Sequence, residues 1–168
     1  MPSIFLYGSL LDKNLRDVVF ADSLHNTRIE TAIAFGYSTL RYPQESFPVL
    51  LPRVGQSAKG ILLIDPTAEA LERMAFYEGD EYEIASLSVT LDTGEVIHAQ
   101  YNRALELDGV VFEEPWCLHK WQATESQILV EITKQYFTRG WGIMDVTQAD
   151  KLWRQLQYLR ETPTAMSG

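Results

Sequence analysis

The sequence predicts an α+β domain, or a small barrel flanked by helices, on three observations. The run AKGILLID at residues 58–65 is apolar without alternation, as a buried central strand requires. Segments 84–91 and 96–103 alternate apolar with polar side chains and are joined by Asp92-Thr93-Gly94, a hairpin signal. Beyond residue 124 the apolar side chains recur at helical spacing instead. A mixed β-core with interspersed helices is therefore followed by a helical C-terminal third.

The elements follow in chain order. Residues 3–7 read as a buried first strand ended by Gly8. Leu11, Leu15, Val18 and Val19 then predict a helix over about 10–20. Ser9 is placed to cap it, with Asp12 three residues on in a capping-box arrangement. After residues 31–40 comes RYPQESFPVLLP, whose Pro43, Pro48 and Pro52 predict a loop with a short extended piece. Asp65-Pro66-Thr67 opens a second helix with proline near its first turn. Residues 110–121 read as irregular. Thr124-Glu125-Ser126-Gln127 predicts a second capping box, starting a helix to about Arg139 with Ile128, Ile132 and Tyr136 inward. A last helix is capped within 147–150; its Leu152, Trp153, Leu156 and Leu159 form core or a contact between protomers of a homodimer. The tail from Thr162 is polar and expected to fray.

Composition narrows the partners. The 168 residues favour one domain, large enough to enclose a core and a pocket. Fourteen basic against twenty-three acidic side chains give a formal charge of −9, which repels phosphate backbones and anionic membranes. Neither nucleic acid nor a membrane is expected as a partner. Cys117 is the single cysteine, so no internal disulfide forms, which fits a reducing, cytoplasmic setting. Its neighbours Trp116 and Leu118 suggest a buried packing thiol. His25, His98 and His119 lack paired ligand spacing, and the acids of 78–83 lack calcium-loop spacing, so no metal site is expected. The apolar run 4–6 is too short for a signal peptide or a membrane span.

One residue breaks the pattern of the second helix. Leu71, Met74 and Ala75 fall at i, i+3 and i+4, and the next turn of that stripe reaches Glu78. Gly79 is available to end the helix there. Partial burial and the negative helix terminus would both raise the carboxyl pKa above its ordinary value of about 4.3. A carboxylate so tuned suits general acid/base work. The alternatives are a frayed end that turns Glu78 into solvent, or pairing with Arg41 or Arg103. The strand-to-turn passage IFLYGSLL is the second signal: Gly8 and Ser9 at a helix start present free N–H groups. Such a turn can hold a carboxylate or a developing oxyanion, or can simply need a glycine. Tyr42, Phe47, Tyr77, Tyr82 and Tyr101 add aromatic surface with hydroxyl handles, most of it expected as core.

Tyr7-Gly8-Ser9-Leu10 after the first strand, with Tyr77-Glu78-Gly79 and Tyr82 at the end of a later helix, resembles the gamma-glutamylcyclotransferase-like family. The resemblance runs through FPVLLP, AKGILLID and Ala99-Gln100-Tyr101, and so covers about residues 4–103. It implies a small mixed β-barrel with flanking helices and one pocket. The family-like core would span 1–109 and a helical extension 110–168, packed together as one domain over 1–168. The resemblance also implies an activity: a γ-glutamyl amine or peptide is converted to 5-oxoproline and free amine by intramolecular aminolysis. It assigns Glu78 as acid/base, and Tyr7, Gly8, Ser9, Leu10, Tyr82 and Tyr101 as substrate-binding residues, with no metal or organic cofactor. The chain departs from the family pattern at Met74-Ala75, where Leu-Asp is common, and after Tyr82, where Glu83-Ile84 replaces a frequent arginine.

Two other readings compete. The same pocket could bind a small carboxylate without turnover, a binding module favoured by those departures. Alternatively, Glu78 could pair with Asp80 or Glu81 as the two carboxylates of a glycosidase, although such close sequence neighbours do not guarantee opposed geometry.

Overall fold

Five strands close into a barrel: β1 (Ile4–Leu6), β2 (Arg28–Arg41), β3 (Pro48–Ile64), β4 (Tyr82–Leu91) and β5 (Val96–Ala104). The computed structural model describes residues 2–79, 82–105 and 107–161, with 159–161 as backbone only. The barrel order is β1-β3-β2-β4-β5, and every pairing is antiparallel except β1 with β5, where Ile4 opposes Gln100. This is the mixed barrel with flanking helices, and a helical region follows it in the chain.

Alternation along β1 divides the core in two. Ile4 and Leu6 face the helices, while Phe5 and the following Tyr7 face the barrel interior with Leu62, Val89 and Tyr101. A five-stranded barrel is narrow enough for side chains to fill, and small residues let strands approach closely. At Gly60, an added Cβ would run into the Leu6 carbonyl and the Phe5 ring. Outside the barrel lie α1 (Lys13–Phe20), α2 (Ala68–Glu78), α3 (Leu118–Trp121), α4 (Gln127–Gly140) and α5 (Val146–Glu161). One hydrophobic cluster joins β1 to α1, α2, α4 and α5 through Leu15, Met74, Ile132, Tyr136 and Leu152 among others.

Several local expectations are corrected. The first helix does not start at Leu10 under a Ser9 cap: Ser9–Leu11 is a 3-10 turn, and Asp12 caps α1 by accepting from the Leu15 amide at 2.9 Å. The proline-rich passage is a loop over 42–47 as expected, but its extended piece is not short: Pro48 and Pro52 lie in the 17-residue strand β3. Its first half pairs with β2 while β1 reaches only Ile61, Leu62 and Leu63, and such an open edge tolerates proline. Thr124 caps nothing. It sits within a π-helical turn, Gln122–Ser126, that joins α3 to α4, and its hydroxyl donates to the Lys120 carbonyl at 3.0 Å. The wider turn rotates the apolar face, so Leu129 is buried and Ile128 is exposed. The cap of α5 is Asp145, whose Oδ1 accepts from the Gln148 amide at 2.8 Å. Cys117 is exposed rather than packed, because the chain from 110 to 117 runs over the surface. Leu152 and Leu156 are buried within the single chain. The Leu159 side chain, Asp80, Glu81 and the tail from Thr162 lie outside the described residues.

Candidate functional site

Thr67 starts α2 by accepting from the Ala70 amide at 3.1 Å, and Gly79 ends it at φ 69° with its N–H on the Ala75 carbonyl. Gly79 relieves the left-handed strain that a side chain would meet. The helix buries Ala70, Arg73 and Met74, while Ala75, expected on the inward stripe, is exposed. Arg73 fixes the helix to its neighbour, since its Nε donates to the Val19 carbonyl at the end of α1 at 2.6 Å. Its guanidinium also lies over the Phe137 ring at 4.7 Å. So held, the last residue of α2 is half-buried Glu78, on the wall of a cavity of about 530 Å³.

Tyr7, Gly8, Ser9 and Leu10 line the same cavity. The turn is tied directly to the helix that carries Glu78: Ser9 Oγ and Tyr77 Oη share a hydrogen bond of 3.0 Å. Within the 3-10 turn the Leu11 amide donates to Gly8 O at 2.9 Å and the Asp12 amide to Ser9 O at 3.0 Å. The amides ahead of them have no partner inside the turn and open its N-terminal side. Gly8 is required by close approach rather than by φ: an added Cβ would stand 2.5 Å from Pro48 Cγ.

Tyr7 reports the electrostatics. Its hydroxyl donates to the Asn102 carbonyl at 2.6 Å. Burial pushes its pKa far above the ordinary phenol value, and the Glu78 carboxylate adds to the rise. The phenol therefore stays protonated, and the negative charge of Glu78 is felt across the cavity. Arg41 and Arg103, the partners considered for Glu78, line none of it; they pair with Glu114 and Glu83.

Tyr82, at the start of β4, is also in the wall. Tyr101 is not: it lies inside the barrel, with its ring edge-on to Tyr7 at 6.3 Å, and supports that residue from behind. Its outward neighbour Asn102 lines the cavity instead. The strand's alternation decides which of the two faces the site.

The rest of the wall went unseen in the sequence. Trp121, Glu125 and Leu129 come from the helical rod α3–α4, and Trp153, Arg154 and Gln157 from α5. Phe47 comes from the β2–β3 turn and Pro48 from the start of β3. Trp153 is edge-on to Tyr77 at 6.1 Å and to Tyr136 at 5.0 Å, which binds α5 to the helix of Glu78. Among the described residues no group of three or more His, Cys, Asp or Glu side chains is placed to hold a metal ion, and no helix is long and apolar enough to cross a membrane.

Known proteins share this architecture. AIG2-like protein A of Arabidopsis thaliana is 24% identical over 137 residues, which span 80% of this chain and 81% of that protein. A solution structure of an Arabidopsis thaliana protein superposes with a TM-score of 0.58 at 20% identity, covering 82% of this chain and 91% of the other. A structure named gamma-glutamyl cyclotransferase superposes at 0.50 with 10% identity, covering 90% and 85%. At these identities the structural likenesses show the fold. Residues 4–118, more than half of the chain, match the family described as gamma-glutamyl cyclotransferase, AIG2-like. The chain belongs to that family.

Proposed function

We propose that the protein is a cofactor-independent γ-glutamyl cyclotransferase with Glu78 as its acid/base. One observation supports this most: half-buried Glu78 and the Tyr7–Leu10 turn line one cavity. In this reading Glu78 takes a proton from the α-ammonium of a γ-glutamyl compound. The freed amine attacks its own γ-carbonyl carbon, and a new C–N bond closes the five-membered ring. The oxyanion rests on amides of the turn, worth roughly 3 kcal/mol per donor in other systems. The bond to the leaving nitrogen then breaks as Glu78 delivers its proton there; the ring nitrogen gives up its second proton, which also passes to the departing amine, so 5-oxoproline leaves with the amine as its ammonium. The reaction is unimolecular once the chain is bent, so a fixed turn and a fixed helix end supply much of the rate. Tyr82 and Asn102 bound the substrate from the barrel side, while Tyr101 holds Tyr7.

The test is 5-oxoproline formation from a panel of γ-glutamyl amines and γ-glutamyl peptides. Glu78→Gln is expected to lose at least 100-fold in rate, of the order set for general acid/base catalysis, while melting like the parent. A Glu78→Gln variant as active as the parent overturns the assignment. Thermal stabilisation by these compounds without product from the parent protein would instead mark a binding module.

A further inference from the structure

Arg16 stands on α1 with its half-buried guanidinium folded back onto the glycine turn. A single nitrogen, Nη1, donates to the Leu10 carbonyl at 3.1 Å and to the Leu11 carbonyl at 3.0 Å. Each of these carbonyls shares a rigid peptide plane with the amide that follows it. Those amides are themselves donors within the turn, Leu11 to Gly8 O at 2.9 Å and Asp12 to Ser9 O at 3.0 Å. The Gly8 and Ser9 carbonyls in turn share their planes with the amides of Ser9 and Leu10, which no bond inside the turn uses. Two parallel chains therefore start at one cation. Each runs through two hydrogen bonds and two peptide groups to a leading amide of the turn that lines the cavity.

Hydrogen bonds in series polarise one another, and a charged donor heads a series more strongly than a neutral one. The direction is fixed: positive charge on a carbonyl oxygen draws electrons from the amide nitrogen and makes its proton a better donor. Asp12, which belongs to the second chain, is held in place by both of its oxygens. Its Oδ1 accepts from Gln122 Nε2 and its Oδ2 from the Leu15 amide, each at 2.9 Å. Arg16 itself does not line the cavity.

We infer, resting on the cyclotransferase reading above, that Arg16 is a positioning residue of the site: from behind the turn it orients and polarises the Ser9 and Leu10 amides that receive the oxyanion. It touches no reacting atom. Its effect belongs to the transition state, where the oxygen gains charge, and little of it is felt by bound substrate.

The experiment measures kcat and KM for 5-oxoproline release, together with amide proton shifts, in Arg16→Gln, Arg16→Lys and Lys13→Gln. With each chain adding about 10–30% to one oxyanion donor, Arg16→Gln is expected to lose about 3- to 20-fold in kcat at unchanged KM. Arg16→Lys should retain most of the rate, because one nitrogen serves both carbonyls. Lys13→Gln removes an equal charge that is bonded to Asp17 instead, and should leave kcat unchanged. The Ser9 and Leu10 amide protons should move upfield in Arg16→Gln, return in part in Arg16→Lys, and stay in place in Lys13→Gln. A loss carried by KM, or equal losses in Arg16→Gln and Arg16→Lys, overturns the inference. Unmoved Ser9 and Leu10 protons in Arg16→Gln overturn it as well, whatever the turnover assay shows. Failure of the unaltered protein to release 5-oxoproline from any compound of the γ-glutamyl panel overturns the cyclotransferase reading instead, and the shift comparison still reads the two chains.

Discussion

Replacing Gly8 by alanine tests whether the turn must press against β3. The new methyl would lie 2.5 Å from Pro48 Cγ. Carbon atoms settle at about 3.5–4.0 Å, so the turn and strand must part by roughly 1 Å or more. Pro48 cannot swing aside, because its ring is closed and its residue is buried at the start of β3. Overpacking of this kind costs about 1–3 kcal/mol, to be read as a lower urea midpoint with an unchanged slope. The rate should suffer more than the stability, since a 1 Å misplacement of a positioned group can cost about 100-fold. Gly8→Ala should therefore lose about two orders of magnitude in 5-oxoproline formation while remaining folded. Adding Pro48→Ala removes the ring atoms and should restore part of both losses, a coupling between neighbours that a double-mutant cycle isolates. A Gly8→Ala protein with parental midpoint and rate would refute the reasoning. Equal losses with and without Pro48→Ala would refute the contact as the cause.

Two further outcomes follow from the helical side. Arg73→Ala removes a buried guanidinium that bonds the Val19 and Val18 carbonyls and lies over Phe137 and Trp141. Chemical denaturation should show a loss of about 2–4 kcal/mol, and a change below 0.5 kcal/mol would contradict the role given to it. Tyr136 donates to the Phe76 carbonyl at 2.7 Å, and burial, aided by Asp150, pushes its pKa up to about 12. The folded state thus keeps a proton that the unfolded chain releases near pH 10. This contribution is complete below pH 10 and is lost as pH rises through 12. Urea midpoints at pH 9 and pH 11 should fall more steeply in the parent than in Tyr136→Phe; equal falls would contradict it.

What the sequence revealed depended on how local each signal was. The β4–β5 hairpin, the Thr67 start of α2 and its Gly79 stop were legible because each rests on residues adjacent in the chain. Glu78 stood out as an acid on an apolar stripe, although the stripe in fact runs through Ala70 and Met74 rather than Ala75. Glu125 carries a similar signal between Trp121 and Leu129 and was hidden by a capping-box pattern. A π-helical turn displaces the apolar register, so α-helical spacing predicted Ile128 inward instead of Leu129. The first half of β3 was concealed by its prolines, which are admissible only because that half lacks a second neighbour among the described residues. That condition is set by the closure of the barrel. Tyr101 and Asn102 differ by one step of alternation, and which of them faces the site depends on the register of β5 against β4.

The placement of α5 has a consequence for biogenesis. Emerging from a ribosome, the barrel strands precede the helix that supplies Trp153, Arg154 and Gln157 to the cavity. A nascent chain can carry both Glu78 and the glycine turn and yet present only an open trough. If the proposed reaction holds, no turnover is expected before α5 has left the tunnel and docked against that trough.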